Sequence, residues 1–214
     1  MSQPGLDQRE AERMQVVVAA AQVIEQVGAS RVTLALVAEA SGLALGSILD
    51  HFSTLEEVID EVIEEQNSLM YQTVEQAVGE ARAGEALIRA AVALLGLLSN
   101  DVIARAGMRL SLEKGAANEE LAWRYYLWIE SFTDYVTEGI EAGQMRADLD
   151  ASAVTVLVVA WFSGVTLLSG LVGPAVVSPR QIGPMLDIYI IGMANPEHVE
   201  PLRDLARQLL DEAD

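Results

Sequence analysis

Residues 33–52 read Thr-Leu-Ala-Leu-Val-Ala-Glu-Ala-Ser-Gly-Leu-Ala-Leu-Gly-Ser-Ile-Leu-Asp-His-Phe, and their spacing decides the fold. Leu34, Val37 and Ala38 form the apolar face of one short helix; Leu45, Ile48 and Leu49 form that of a second. Between them Ser41-Gly42 leaves room only for a tight turn, and Gly42 supplies the positive-φ position such a turn needs. Helix, short Gly-containing turn and helix make a helix-turn-helix arrangement, whose second helix reads the DNA major groove. The spacing predicts that reading helix over residues 43–50. It holds no Lys, Arg, Asn or Gln, the side chains that most often grip base edges.

Upstream, Met14, Val17, Val18, Ala21 and Ile24 recur at helical spacing and stop at Gly28, which predicts an amphipathic helix over residues 8–27. Thr33 can cap the helix that follows. Downstream, Thr54-Leu-Glu-Glu57 is a capping box opening a helix that runs to about residue 81. Its run Asp60-Glu61 and Glu64-Glu65 reads as a solvated face rather than a metal site. Helices over 83–98, 101–113 and 117–142 follow, with breaks at Ala83-Gly84, Ser99-Asn100, Gly115 and Gly143. Residues 151–173 contain no charge. That length could span a bilayer, but neither flank is rich in Lys or Arg, and Ser and Thr dilute the stretch. The favoured reading is a helix covered on one side by its own domain and on the other by a second subunit. Ser178-Pro179 and Asn195-Pro196 each open a further helix, over 179–193 and 196–212.

The 214 residues are 51% apolar and 21% charged, with no alternating β-branched runs, so the chain is expected to be all-α, with nine or ten helices. The expected division is a helix-turn-helix head, 1–52, and a larger helical body, 53–214. Thirty-two acids against thirteen bases give a net charge of −19, and Lys114 is the only lysine. Such a field repels phosphate polyanions. With no cysteine there is no disulfide, zinc-thiolate site or thiol nucleophile. The N-terminal stretch lacks an apolar signal core, so a cytoplasmic protein, not a membrane one, is expected.

Several landmarks together resemble the tetracycline-repressor (TetR) family of one-component regulators. They are the helix ending at Gly28, Val32-Thr33-Leu34, Val37-Ala38-Glu39-Ala40-Ser41-Gly42, Gly46-Ser47-Ile48-Leu49-Asp50-His51-Phe52, and Glu56 in the next helix. In the body, four stretches resemble the γ-butyrolactone receptors of actinobacteria within that family. These are Arg105-Ala-Gly-Met-Arg-Leu110, Trp128 upstream of Gly143, Phe162-Ser-Gly-Val-Thr-Leu-Leu-Ser169, and Met185 through Asn195-Pro196-Glu197. The resemblance implies a TetR-like fold and a lactone-type pocket lined by Trp128. It also implies a homodimer formed by the helices over 151–173 and 179–193, through Leu157, Val158, Trp161, Val165, Leu168, Met185 and Ile188. For the ligand, a small apolar molecule such as a lactone or a biosynthetic metabolite, Trp123, Phe132, Phe162 and Thr166 are expected beside Trp128, with Arg105 and Arg109.

The resemblance also implies a DNA face at Thr33, Ala44, Leu45, Ser47, Leu49, His51 and Leu55, and here the chain departs from its family. Where the family carries a Lys or polar residue, a phosphate-contacting Tyr and a Lys at the cap of the fourth helix, this chain has Ala44-Leu45, Leu49 and Leu55. Residues 1–67 hold three bases, Arg9, Arg13 and Arg31, against twelve acids, a net of −9. Phosphate contacts supply most DNA affinity and base edges need donors or acceptors; this head has almost neither.

Other chemistry has little to stand on. His51 and His198 lie far apart in sequence, and no Gly-rich phosphate loop occurs, so no catalytic residue, metal or cofactor is expected. Trp123, Tyr125, Tyr126, Trp128, Phe132 and Tyr135 hold six of eleven aromatics; ordinary helix core is one reading, a pocket wall the other. Arg105 and Arg109 share a helix face and either receive a ligand oxygen or pair with acids such as Glu113. The expected function is that of a ligand-binding regulator whose own DNA binding is weak or lost, acting by sequestering ligand or by pairing with another regulator. The alternatives are an ordinary ligand-responsive repressor and an enzyme that has recruited the pocket.

Overall fold

The computed structural model describes residues 4–115, 118–173 and 179–213. Their regular structure is ten α-helices and one 3₁₀ turn, Ala29–Arg31. The helices are α1 (Pro4–Val27), α2 (Leu34–Ser41), α3 (Leu45–Leu49), α4 (Leu55–Val78), α5 (Ala83–Asn100), α6 (Val102–Gly115), α7 (Glu119–Glu141), α8 (Ala151–Val172), α9 (Pro179–Met193) and α10 (Pro196–Ala213). The fold is thus all-α, as the periodicities predict. Helix α7 is capped by Asn118, whose side-chain oxygen accepts from the Leu121 N–H at 3.2 Å. The cap assigned to Ser178 lies outside the described residues. The chain forms two compact units. One comprises Met1–Leu69 with Asp101–Glu113, the other Met70–Asn100 with Lys114–Asp214. The first therefore takes in more than residues 1–52: the beginning of α4 and most of α6 belong to it.

In the first unit, α1 buries Val16, Val17, Ala20, Ala21 and Ile24 completely and packs on α2. It ends where Gly28 adopts φ 81°. The Thr33 hydroxyl caps α2 by accepting from the Leu36 N–H at 3.2 Å, and Gly42 closes it at φ 71°. The reading helix α3 is shorter than the predicted 43–50. Ala44 is extended and has no side-chain oxygen with which to cap a longer helix, so Leu43-Ala44 stay in the turn. Ile48 and Phe52 anchor this end in the core. Half of the capping box forms as predicted, Thr54 accepting from the Glu57 N–H at 3.2 Å, while Glu57 reaches one residue past the cap and accepts from the Ser53 N–H at 2.6 Å. Helix α6 lies against α4 at Gly107, where a Cβ would come within 2.7 Å of the Gln66 Cγ and 3.0 Å of the Val62 carbonyl oxygen. Gln66 is 2% exposed and lies 3.4 Å from the Ser111 hydroxyl.

In the second unit α5 is buried along most of its length, with Ala86, Leu87, Ala90, Leu94, Leu95 and Leu98 inside, and packs on α7 and α10. Helix α7 packs on α8, and α9 on α10. Asn195 clips two connections together. Its side-chain amide donates to the carbonyls of Gly143 (2.6 Å) and Met145 (3.0 Å), and its backbone N–H donates to the Gln144 carbonyl. Beside it, Met145 and Ala194 form an isolated antiparallel bridge. Arg203 grips Asp187 with two bonds of 2.9 and 2.7 Å, tying α10 to α9.

Gly107 yields the first test. Gly107→Ala gains up to about 1 kcal/mol of helix preference, but it overpacks a contact with a backbone oxygen and a buried Gln stem, a cost of about 1–3 kcal/mol. The variant should lose up to about 2 kcal/mol net in urea unfolding; a midpoint above wild type would mean α6 is not held this closely against α4.

Candidate functional site

Two helices build a cleft in the second unit. From α4 come Tyr71, Val74, Glu75 and Val78, and from α7 come Trp128, Ser131, Phe132 and Tyr135. Each set follows the three-and-four spacing that puts side chains on one helix face. The cleft encloses about 280 Å³. Tyr71 stacks on Trp128 with ring centroids 4.3 Å apart, Trp128 on Phe132 at 5.8 Å, and Tyr135 meets Phe132 edge-on at 6.2 Å. Trp128 and Phe132 are 7% exposed, whereas Tyr71 faces solvent. Glu75 is the one charged side chain in the lining, and Ser131 spends its proton on the Leu127 carbonyl. The walls are therefore aromatic and aliphatic faces with few polar groups, a lining suited to a small, largely apolar molecule. Elsewhere on α7, burial pushes the Tyr125 phenol up to about 12.

The structure brings only two of the seven expected ligand residues to this cleft, Trp128 and Phe132. Trp123 is exposed and stacks on Tyr126 at 5.4 Å. Phe162 is buried edge-on to Trp161, and Thr166 donates to the Phe162 carbonyl; neither lines the cleft. Arg105 and Arg109 belong to the other unit. Arg105 holds Glu25 with bonds of 2.5 and 3.1 Å, and Arg109 pairs with Glu113 at 2.8 Å. The pairing reading of these arginines is the one the structure adopts. Sequence reasoning missed Tyr71, Val74, Glu75 and Val78, although their spacing carries the signal.

On the reading face, Leu45 (45% exposed) and Leu49 (47%) stand in solvent with Ala44 and Gly46. Leu55 and Ser47 are half-buried, and Thr33 uses its hydroxyl as a cap. The His51 side chain is buried, with Nε2 3.4 Å from a Glu12 carboxylate oxygen. Each base of the head has a partner, although Arg9 and Arg31 remain exposed. Arg13 pairs with Glu61 and lies over the Phe52 ring, Arg31 donates to the Val27 carbonyl, and Arg9 donates to the Asp50 carbonyl. Hydrogen bonding to Glu61 raises the Arg13 guanidinium above its ordinary value. Burial, followed by the fields of Glu61, Asp101 and Glu10, pushes the Glu65 carboxyl up, a sign of how crowded with acids this unit is.

Helices α5 and α8 are both long and apolar enough to cross a membrane, but α5 is mostly buried and α8 mostly is not. Along α8, Val156, Leu157, Leu167, Leu168, Leu171 and Val172 are exposed, and along α9 Met185, Ile188 and Ile191. Val158 and Val165, expected on this outer face, instead turn into the core of their own unit. Trp161 packs between Phe162 and Tyr189, and its indole N–H is buried without an acceptor among the described residues.

Compared with known proteins, residues 81–195 match the "Tetracyclin repressor-like, C-terminal domain" family and residues 16–62 match "Bacterial regulatory proteins, tetR family". The chain is 26% identical over 204 residues to the A-factor receptor protein of Streptomyces griseus, covering 93% of this chain and 71% of that one. Among solved structures it is similar to a γ-butyrolactone receptor described as ArpA-like, at 22% identity and a TM-score of 0.79, covering 96% of this chain and 98% of that one. It is also similar to CprB of Streptomyces coelicolor, at 23% identity and a TM-score of 0.84, covering 95% and 98%.

Proposed function

The chain belongs to the TetR family of regulators, and from that premise we propose that it is a γ-butyrolactone-receptor-like, ligand-binding regulator whose own grip on duplex DNA is weak or lost. The observation that carries the reading is the aromatic cleft around Trp128, whose α7 wall lies within the residues matching the family's C-terminal domain and whose α4 wall, Tyr71 to Val78, lies just before them. Its occupant is a small, largely apolar metabolite, lactone-like in size and polarity. The working division is a head, 1–52, and a body, 53–214, that holds ligand and pairs with a second copy. Tryptophan emission should shift on titration with such a lactone, because the indole of Trp128 forms a wall of the cleft. Trp128→Ala should stay folded and lose the response, and an unchanged titration in that variant would put the ligand elsewhere.

The second copy covers α8 and α9. Their exposed leucines, isoleucines and valines make an apolar face beyond the few hundred Å² usual on a monomer. Light scattering should give twice the 23.0 kDa chain mass at micromolar concentration. Leu157→Glu combined with Ile188→Glu should break the dimer, since both side chains stand outside the unit's core; a wild-type-like dimer from that variant would misplace the interface.

The head is expected to leave duplex DNA alone. Non-specific binders reach dissociation constants of roughly 10⁻⁴ to 10⁻⁶ M by neutralising several phosphates, and here the contact positions are Leu45, Leu49 and Leu55. Fluorescence anisotropy with random duplex and with DNA flanking the protein's own gene, at about 50 and 150 mM salt, should show no sequence-dependent binding. Tight, specific binding at the higher salt would restore the plain repressor reading.

A further inference from the structure

A reading helix that merely stopped reading would be expected to drift toward ordinary solvated residues. This one presents leucines instead. Leu45 and Leu49 are each nearly half exposed, four residues apart and so on one face of α3, forming a ridge about 6 Å long. Ile48 and Phe52 bury the opposite side, so the ridge is not needed for the head's own core. Acids lie next to it in sequence: Asp50 closes α3, and Glu56 and Glu57 stand in the first turn of α4, all three exposed, with Arg9 on the Asp50 carbonyl and Glu57 holding the Ser53 N–H. The unit that carries the ridge holds fourteen acids and five bases, all arginines, so internal pairing cannot neutralise it.

We propose that the exposed face of α3, with the first turn of α4, is a docking surface for a basic amphipathic helix presented by another protein. Charge complementarity selects the occupant. A second copy of this acidic face would be repelled, as would an anionic lipid surface or a nucleic acid. A basic helix satisfies both halves of the surface. Its apolar stripe takes Leu45 and Leu49 between its side chains, and its flanking Lys and Arg meet the carboxylates of Asp50, Glu56 and Glu57. The leucines carry the affinity, while the acids speed encounter and reject wrong partners.

The proposal rests on the reading that the head has given up duplex DNA, and the test separates the two. The full-length protein is titrated into a labelled peptide of about 18 residues, long enough for several helical turns, with leucines at i, i+3, i+4 and i+7 and Lys or Arg elsewhere. A scrambled peptide of equal charge, an acidic counterpart and a random duplex are run beside it. The basic amphipathic peptide should bind about tenfold more tightly than its scramble, and the acidic one should not bind. Leu45→Ser with Leu49→Ser should weaken binding about tenfold while lowering the thermal midpoint by only a few degrees, because each side chain is nearly half exposed and the core residues Ile48 and Phe52 are untouched. Asp50→Asn with Glu56→Gln should flatten the salt dependence. Equal binding of peptide and scramble, indifference to the leucine changes, or no peptide binding would overturn the docking surface alone. Tight duplex binding would overturn it together with the reading beneath it.

Discussion

A helix that is apolar on nearly every side must be covered on nearly every side, and α5 imposes that requirement on the second unit. Ala86, Ala90 and Leu94 are sealed inside with Leu87, Leu95 and Leu98, which leaves α7 and α10 to wrap the helix. Helix α8 carries the same kind of sequence without the same cover. Val158, Phe162 and Val165 are satisfied within the unit, while Leu157, Leu168 and Leu171 are not. At roughly 25 cal/mol per Å² of apolar surface removed from water, covering that second side stabilises the molecule more than any single surface ion pair does. Two helices of similar composition thus have different fates. One is finished by its own chain, the other by whatever comes against it.

The first unit shows the opposite imbalance, of charge rather than of apolar area. Its arginines point inward or along the chain: Arg13 to Glu61, Arg105 to Glu25, Arg9 and Arg31 to backbone carbonyls. The Arg13 and Arg105 pairs hold α1, α4 and α6 together, and the one guanidinium bonded to the reading helix is that of Arg9, at its C-terminal end on the Asp50 carbonyl. The helix-turn-helix frame itself is intact, with Thr33 capping α2, Gly42 in its left-handed turn and Thr54 capping α4. Architecture and surface chemistry thus differ in character: the residues that shape the motif make their caps and turns, while Ala44, Leu45, Leu49 and Leu55 offer no side-chain donor or acceptor.

Much of this was legible in the sequence because it depends on local rules. Glycine positions, caps and helical periodicity predict the helices, and they err mainly at α3, where Ala44 cannot cap the longer helix that periodicity alone suggests. Spacing also identifies Trp128 and Phe132 as neighbours on one face of α7. It does not say which unit a helix joins, which is why Arg105 and Arg109, correctly placed on a common face of α6, lie with Glu25 and Glu113 rather than with Trp128. Nor does periodicity work on a helix that is apolar all round. With no polar stripe on α8 to mark the outside, Val158 and Val165 are indistinguishable in sequence from Leu157 and Leu168. Tyr71 was missed for a related reason, since the acids of α4 draw attention to a solvated helix and hide the apolar face of its last turns.

Asn195 makes the base of α8 and α9 a closed clasp. One side chain holds two carbonyls of the connection before α8, and the backbone around it bridges back from the end of α9. The stretch between is therefore a loop whose ends are already fastened. Lengthening such a loop adds only a slowly growing entropic penalty, about 0.6 kcal/mol for each doubling. An insertion beyond the clasp would therefore start from ends that Asn195 already holds, so the surface of α8 and α9 can be altered without loosening their base.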